Sequence, residues 1–361
     1  MDIQKNDWRG EPMHHTHSLT PLAVIAFALT AFVLCFVYPV PSLEAAARGV
    51  SIWWEILFPA LFPFFVLSEI MLKLGIVHFF GTLLDPLMRP LFRVPGIGGF
   101  VMAVGFASGY PVGAKMTAQL YEKKAVNREE GERLISFVTT SDPIFLIGAV
   151  SVGFFQNPSL APIFAAAQYG AAIIIGLLMR FYKKDSPLSP YPHSSSHPLL
   201  WRAFMAMHQA RIQEQKPLSV LLKEAIGSSL VLVMIIGGLV VFFSVILEVL
   251  TVSNLIALMY VVVHGALSLF DVPSSLTESV ISGFFEVTLG AKSAAEAGEG
   301  LGLVHKVAAA AFIVSWAGLS VHFQIISLLT RTPFRYRPFI LCRLLHGIMA
   351  SVLVYLLWVP L

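Results

Sequence analysis

Charge is scarce in this sequence. Asp, Glu, Lys and Arg make up 12% of its 361 residues, while 57% are hydrophobic. A soluble domain carries about 25% charged residues, so a water-exposed globular enzyme or binding module is excluded as an account of the whole chain. Cysteine is scarcer still. Cys35 and Cys342 both lie inside apolar segments, which argues against a disulfide framework and suits small core residues. No basic stripe interleaved with aromatics is present, so nucleic acid is not an expected partner. A phosphate-binding glycine loop ending in Lys-Ser/Thr is missing, as are His-Glu-x-x-His and Gly-x-Ser-x-Gly, and "GIGGF" (Gly96–Phe100) lacks a strand–helix context. An enzyme is therefore disfavoured and no cofactor is implied. His14, His15 and His17 stand together without fixed Cys, Asp or Glu partners. They read as a solvated tail, not a metal site.

What is present is apolar length. Runs of 18 or more apolar residues recur, each long enough to cross a bilayer core of about 30 Å. The expected spans are Leu19–Val40, Ile52–Leu74, Leu134–Phe155, Leu160–Tyr182, Val220–Leu250, Val304–Leu329 and Phe339–Leu361. The expected class is an all-α polytopic membrane protein. The first run exceeds the 7–15 residues of a signal-peptide core and is read as a retained span. The organisation follows: a tail over 1–18, a first span and outer loop over 19–50, one unit over 51–182, a basic linker over 183–218 and a second unit over 219–361.

The two units resemble each other. "LFRVP" at Leu91–Pro95 has a counterpart in "LFDVP" at Leu269–Pro273; Gly105-Phe106 and Gly113-Ala114-Lys115 correspond to Gly283-Phe284 and Gly290-Ala291-Lys292, with separations that agree within one residue. Upstream, "FFVLSE" (Phe64–Glu69) mirrors "FFSVILE" (Phe242–Glu248). Downstream, each unit enters an apolar span that is interrupted, first at Thr139–Pro143 and then at Ser315–His322. The apolar stretches Gly96–Lys115 and Ser274–Lys292 are too glycine-rich or too short to span simply, so they are read as re-entrant helical hairpins with tips at Gly105–Lys115 and Ser282–Lys292. Glycine permits close approach and positive φ, and Pro111 removes a donor. Non-helical backbone at membrane depth is tolerated where it is buried in protein or lines a cavity.

Basic residues orient the chain. Lys5 and Arg9 favour a cytoplasmic N-terminus. Arg89, Arg93, Lys123, Lys124, Arg128, Arg133, the linker's Arg180, Lys183, Lys184, Arg202, Arg211 and Lys216, and then Arg331, Arg335, Arg337 and Arg343 all return to the cytoplasm, provided that Asn254–Val272 lies along the interface. The two units then have opposite orientation. Inverted repeats with discontinuous helices are the build of secondary transporters.

The candidate substrate-binding residues follow from the hairpins and breaks: Gly109, Tyr110, Gly113, Lys115, Thr139, Thr140, Ser141 and Asp142 in the first unit, and Glu286, Thr288, Lys292, Ser315, Ser320 and His322 in the second. Lys115 and Lys292 offer ammonium groups to an anion, or snorkel from the hairpin bases. Pro143 frees a carbonyl one turn back, beside the hydroxyls of Thr139, Thr140 and Ser141 and the Asp142 carboxylate. The carboxylates Glu69, Glu248 and Glu286 either carry coupling protons or pair with the lysines. No metal ligand is among these residues.

"GFASGYPVGAK", "TTSDPIFLIG" and "GFFEVTLGAK" resemble the YlbJ-type sporulation integral membrane proteins of the nucleoside-recognition (Gate) group. The resemblance covers roughly Ser51–Leu361. The wider group is similar to the concentrative nucleoside transporters, with the order span, interfacial helix, hairpin, broken span, span, then the inverted copy. The resemblance implies a membrane protein of endospore formers, in the mother-cell membrane and the outer forespore membrane, that moves dipicolinic acid toward the forespore. Lys115 and Lys292 depart from the acidic and amide groups that bind nucleosides. A nucleoside permease, and a non-transporting scaffold for cortex assembly, are the rival expectations. The partners expected are dipicolinate or a similar small anion and the bilayer. The residues leave the coupling ion open between proton and sodium, and leave a homo-oligomer open, as related carriers are trimers.

Overall fold

The computed structural model describes residues 20–189, 198–214, 216–269, 272–298 and 300–358. Among them there are helices and no strands. The tail histidines and the basic residues of the tail lie outside the described residues.

The chain starts with α1 (Thr20–Val37) and turns by 105° into α2 (Pro39–Ser51). Tyr38 takes φ −119°, ψ 63°, because the residue before a proline is pushed out of the helical region. The outer loop expected over this stretch is a helix instead. It continues without a break through a π-helical turn at Ile52–Leu57 into α3 (Phe58–Lys73). The Phe58 N–H reaches back five residues to Trp53 O, immediately ahead of Pro59, which cannot donate. Residues 39–73 thus form one rod, not an isolated span at 52–74.

The first unit then supplies α4 (Ile76–Phe92), α5 (Ile97–Ser108), α6 (Tyr110–Glu122), α7 (Arg128–Val138), a π-helix at Phe145–Phe154 and α8 (Ala161–Met179). The linker is not a bare tether: it holds α9 (Leu199–Glu214), which packs on α4. The second unit repeats the order. Its rod is α10 (Leu218–Val252), followed by α11 (Ala257–Ser268), α12 (Thr277–Phe285), α13 (Val287–Glu296), α14 (Leu303–Trp316), α15 (Gly318–Leu329) and α16 (Tyr336–Leu357). Among the described residues, four helical segments are long and apolar enough to cross a membrane, or six if each of two bent pairs counts as one.

The two rods pack antiparallel. Trp53 Nε1 donates to Val233 O (3.0 Å), Arg48 pairs with Glu248 near one end, and Lys73 pairs with Glu224 (2.6 Å) near the other. Basic residues gather at that second end. Arg133 donates to Arg93 O and Tyr182 O, the Arg335 N–H donates to Glu132 (2.8 Å), and Phe334 packs against Tyr121 and Gly131. Burial and the neighbouring Glu132 carboxylate push the Tyr182 hydroxyl above its ordinary range. The opposite end joins Gly298 to Ser275, Lys306 to Ala295 O (3.4 Å) and His305 to Tyr355 (2.9 Å). The feet of the α5–α6 hairpin therefore stand at the basic end, and those of α12–α13 at the other.

Candidate functional site

Each hairpin turns on a residue whose backbone can leave the helix. Gly109 takes φ 86°, ψ −179°, a region that is essentially glycine's alone. Glu286 takes φ −143°, ψ 125°, and its side chain accepts the Leu289 N–H (2.8 Å), capping α13. The arms close at paired glycines, a Cβ on Gly290 lying 2.2 Å from Gly283 Cα and one on Gly105 lying 3.4 Å from Gly113 Cα; beyond them, a Cβ on Gly105 would meet Val138 O of α7 at 2.5 Å and one on Gly283 would meet Ile313 of α14 at 2.5 Å. Each hairpin thus packs on a broken helix of its own unit.

The breaks are made differently. At the first, Thr139 is extended, Pro143 cannot donate, and Asp142 Oδ1 accepts the Phe145 N–H (2.8 Å), capping the π-helix that follows. At the second, Ala317 and Gly318 both turn left-handed, with φ 76° and 73°. The second arm of each hairpin also reaches the other unit, α6 packing on α15 and α13 on the π-helix. Tyr110 of the first tip donates to Val314 O ahead of the second break.

The outcome is one recess between the tips. It is lined by Gly109, Tyr110 and Pro111 of the first tip, Ser141, Asp142 and Phe145 of the first break, and Glu286, Val287 and Thr288 of the second tip. Val321 and Gln324 of α15 and Leu57, Ile236 and Val240 of the rods complete it. Its volume is about 50 Å³. Small-molecule sites run at about 300–1,000 Å³, so the recess is far smaller than a site that holds a substrate.

Six of the residues singled out in the sequence meet here: Gly109, Tyr110, Ser141, Asp142, Glu286 and Thr288. The others lie elsewhere. Gly113 is behind the tip, against Val138. Lys115 is held by Glu69 (2.8 Å) and Ser228, in a separate small cavity. Lys292, 56% exposed, stands 3.9 Å from Glu296. Thr139 donates to Ile135 O within its own helix. His322 is packed on Trp316 (4.4 Å between ring centroids) and bonded to Tyr336 and to Trp316 O. Ser320 is buried and its hydroxyl has no partner.

Thr140 and Ser315 belong to a second polar centre, behind the breaks. Gln168 of α8 donates to Thr140 (2.7 Å) and accepts from Ser315 (2.6 Å), so one amide ties both breaks. Arg343 does the same with its guanidinium, donating to Ser136 O (3.2 Å) and Ser315 O (3.3 Å) while His346 bridges Arg343 and Gln168 O. The cytoplasmic position expected for Arg343 is wrong: it is 0% exposed. Charge counting could not separate it from Arg337, six residues earlier. Polar residues inside apolar runs were the available signal for Gln168, His346 and Gln324.

Residues 54–171 match the family model described as "Nucleoside recognition" (Gate). The chain is 42% identical, over 95% of its length, to the "Sporulation integral membrane protein YlbJ" of Bacillus subtilis (strain 168), of which the match covers 84%. The chain belongs to this family of sporulation integral membrane proteins. No solved structure matches it. Family membership fits an integral membrane protein with a transporter-like role, and the geometry adds the chemical character of the recess. Among the described residues that line it, two are carboxylates and none is Lys, Arg or His. The N-termini of the helices that follow the first break and the second tip are already capped, by Asp142 and by Glu286.

Proposed function

We propose that this chain is a secondary carrier, not an enzyme, that moves dipicolinate from the mother cell toward the forespore during sporulation. The observation that carries the carrier reading is the meeting of two hairpin tips, fed from opposite ends of the molecule, with a broken helix in one apolar-walled recess that holds two carboxylates. Such a site can open to one end or to the other by movement of a tip. The two units are then inverted repeats, the hairpins are re-entrant, and the basic end and the N-terminus face the cytoplasm. The relative's name supports a membrane setting in sporulation, and the proposal takes that setting to be the mother-cell and outer forespore membranes.

The acidic recess bears on how a dianion is accepted. At about 5 Å and an effective dielectric constant near 20, each pair of like charges costs about 3 kcal/mol. A bare dicarboxylate beside Asp142 and Glu286 is therefore strongly disfavoured. It enters with cations, protons or sodium, that neutralise the pair. A second reading, a neutral nucleoside, is favoured by the same observation, since carboxylates and the Gln324 amide suit hydroxyls and ring N–H groups. Uptake of dipicolinate into liposomes holding the purified protein, with Asp142→Asn and Glu286→Gln beside it, tests both. Dipicolinate uptake driven by a proton or sodium gradient, uninhibited by nucleosides and lost in the variants, supports the carrier of dipicolinate. Nucleoside uptake without dipicolinate uptake selects the second reading. Movement of neither by folded protein sinks the carrier reading.

A further inference from the structure

Gln168 interrupts the apolar run of α8. It is 2% exposed and lies outside the recess, yet both polar atoms of its amide are engaged at the breaks. Nε2 donates to Thr140 Oγ1 at 2.7 Å, and Oε1 accepts the Ser315 hydroxyl at 2.6 Å. Its own backbone is tied down as well, because Gln168 O accepts from His346 Nε2 (2.9 Å). The next residue, Tyr169, donates to Ser141 O (3.1 Å) and stacks on Phe106 of the first hairpin. Side chains that hydrogen-bond across helices hold membrane bundles in register, and buried polar networks fix one arrangement of the elements they join.

Each of these contacts leads to a carboxylate of the recess. Thr140 and Ser141 directly precede Asp142, so α8 holds the first break by one side chain and one carbonyl. Ser315 stands just ahead of the left-handed pair Ala317 and Gly318. A Cβ on Gly318 would lie 3.1 Å from Gly283 O, Phe285 O and Val287 N, so the second break is seated on the backbone that carries Glu286. One amide therefore stands in the middle of a path of contacts from Asp142 to Glu286, which line one recess of about 50 Å³. In so small a space a shift of about 1 Å in either wall changes what fits, and remote substitutions that misplace groups by that much cost up to about 100-fold. Arg343 binds carbonyls of the incoming helices, whereas Gln168 grips Thr140 within the first break.

We infer that Gln168 is a positioning residue: its amide sets the gap between Asp142 and Glu286, and through that gap the affinity of the site for what it carries. The consequence for transport rests on the carrier reading, while the gap itself is measured without transport.

The test uses the full chain with Cys35 and Cys342 replaced by alanine. Gln168→Met keeps the length of the side chain and loses both hydrogen bonds. Gln168→Glu keeps two oxygens, to which the Thr140 and Ser315 hydroxyls can each donate. Thr140→Val combined with Ser315→Ala removes the partners and leaves Gln168 in place. Uptake into liposomes gives KM and Vmax. The gap is read from the rate at which Ser141→Cys and Thr288→Cys, both in the recess wall, are joined by a short bis-methanethiosulfonate. Gln168→Met should raise the KM for dipicolinate about tenfold while Vmax stays within about twofold, and should change the cross-linking rate about fivefold or more. The Thr140→Val, Ser315→Ala protein should match it, and Gln168→Glu should restore both values toward wild type. A merely structural Gln168 would lower the melting temperature and the yield of folded protein at unchanged KM and cross-linking rate, and that result overturns the inference. So does a folded Thr140→Val, Ser315→Ala protein that behaves as wild type in both readouts, or a wild-type background in which the two cysteines are not joined at all. If Gln168→Met fails to fold, the double variant decides by the same two readouts. If wild type moves neither dipicolinate nor nucleosides, the carrier reading fails and the cross-linking rates alone decide the role of Gln168.

Discussion

A charge at the centre of a membrane helix costs about 2.5–3.5 kcal/mol, and Arg343 carries one with no carboxylate bonded to it among the described residues. Its compensation is the backbone. The C-terminal ends of α7 and α14 each present about half a negative charge, and Arg343 reaches a carbonyl of each. One cation therefore neutralises two helix ends that the breaks expose. Arg343→Gln leaves two buried carbonyls short of a donor, at about 1–3 kcal/mol each; it is expected to lower the melting temperature by several degrees and uptake at least tenfold. Arg343→Lys keeps the charge but lacks the fork that spans both carbonyls, so it should fall between. A glutamine variant as stable and active as wild type would show that the charge is idle. The two hairpin lysines make an opposite pair. Lys115 is paired with a nearly buried Glu69, so Glu69→Gln should destabilise by roughly 3 kcal/mol. Lys292→Ala, at an exposed site, should stay within about 0.5 kcal/mol of wild type. Thermal unfolding in detergent separates them, and equal effects would place the two lysines in equivalent roles after all.

At the scale of elements, the hairpin tip stores strain where the recess needs backbone. Gly109→Ala forces a side chain into a glycine-only conformation at about 1–3 kcal/mol. Gly300 has a similar φ, 91°, with nothing around it. Gly109→Ala should therefore abolish uptake, whereas Gly300→Ala should change stability without changing transport. If the two behave alike in uptake, the Gly109 turn has no special part in the site. Proline and glycine made the hairpins and the first break legible: Gly109, Pro111 and Pro143 are residues whose backbone chemistry leaves few alternatives. The second break was narrowed only to Ser315–His322, because an alanine turning left-handed at Ala317 carries no mark in the sequence; the following Gly318 and the packing on the α12–α13 backbone hold it there. The helix at 39–51 was hidden by its two prolines, which sit at a helix start as readily as in a loop. Arg343 was missed for a different reason. Hydropathy and charge counting assign depth by neighbours in sequence, and what buries Arg343 is two carbonyls 28 and 207 residues away.

At the scale of the whole molecule, a carrier needs its two hairpins to stand at opposite ends. The rods run antiparallel, and their salt bridges mark two ends. The feet of α5–α6 lie with Arg133, Arg335 and Lys73, and the feet of α12–α13 lie with Tyr355 and Lys306. Most of the positive charge is at the first end, which the carrier proposal therefore assigns to the cytoplasm. Lys124, beyond α6, and Glu296, at the end of α13, are both exposed and belong to opposite ends. In a background with Cys35 and Cys342 replaced by alanine, Glu296→Cys should react with an impermeant maleimide on intact cells. Lys124→Cys should react only after the membrane is opened. Reaction of both from one side would mean that the two tips do not approach from opposite faces of a membrane. The recess between them would then be a fold feature with no path through, and alternating access would lose its structural basis.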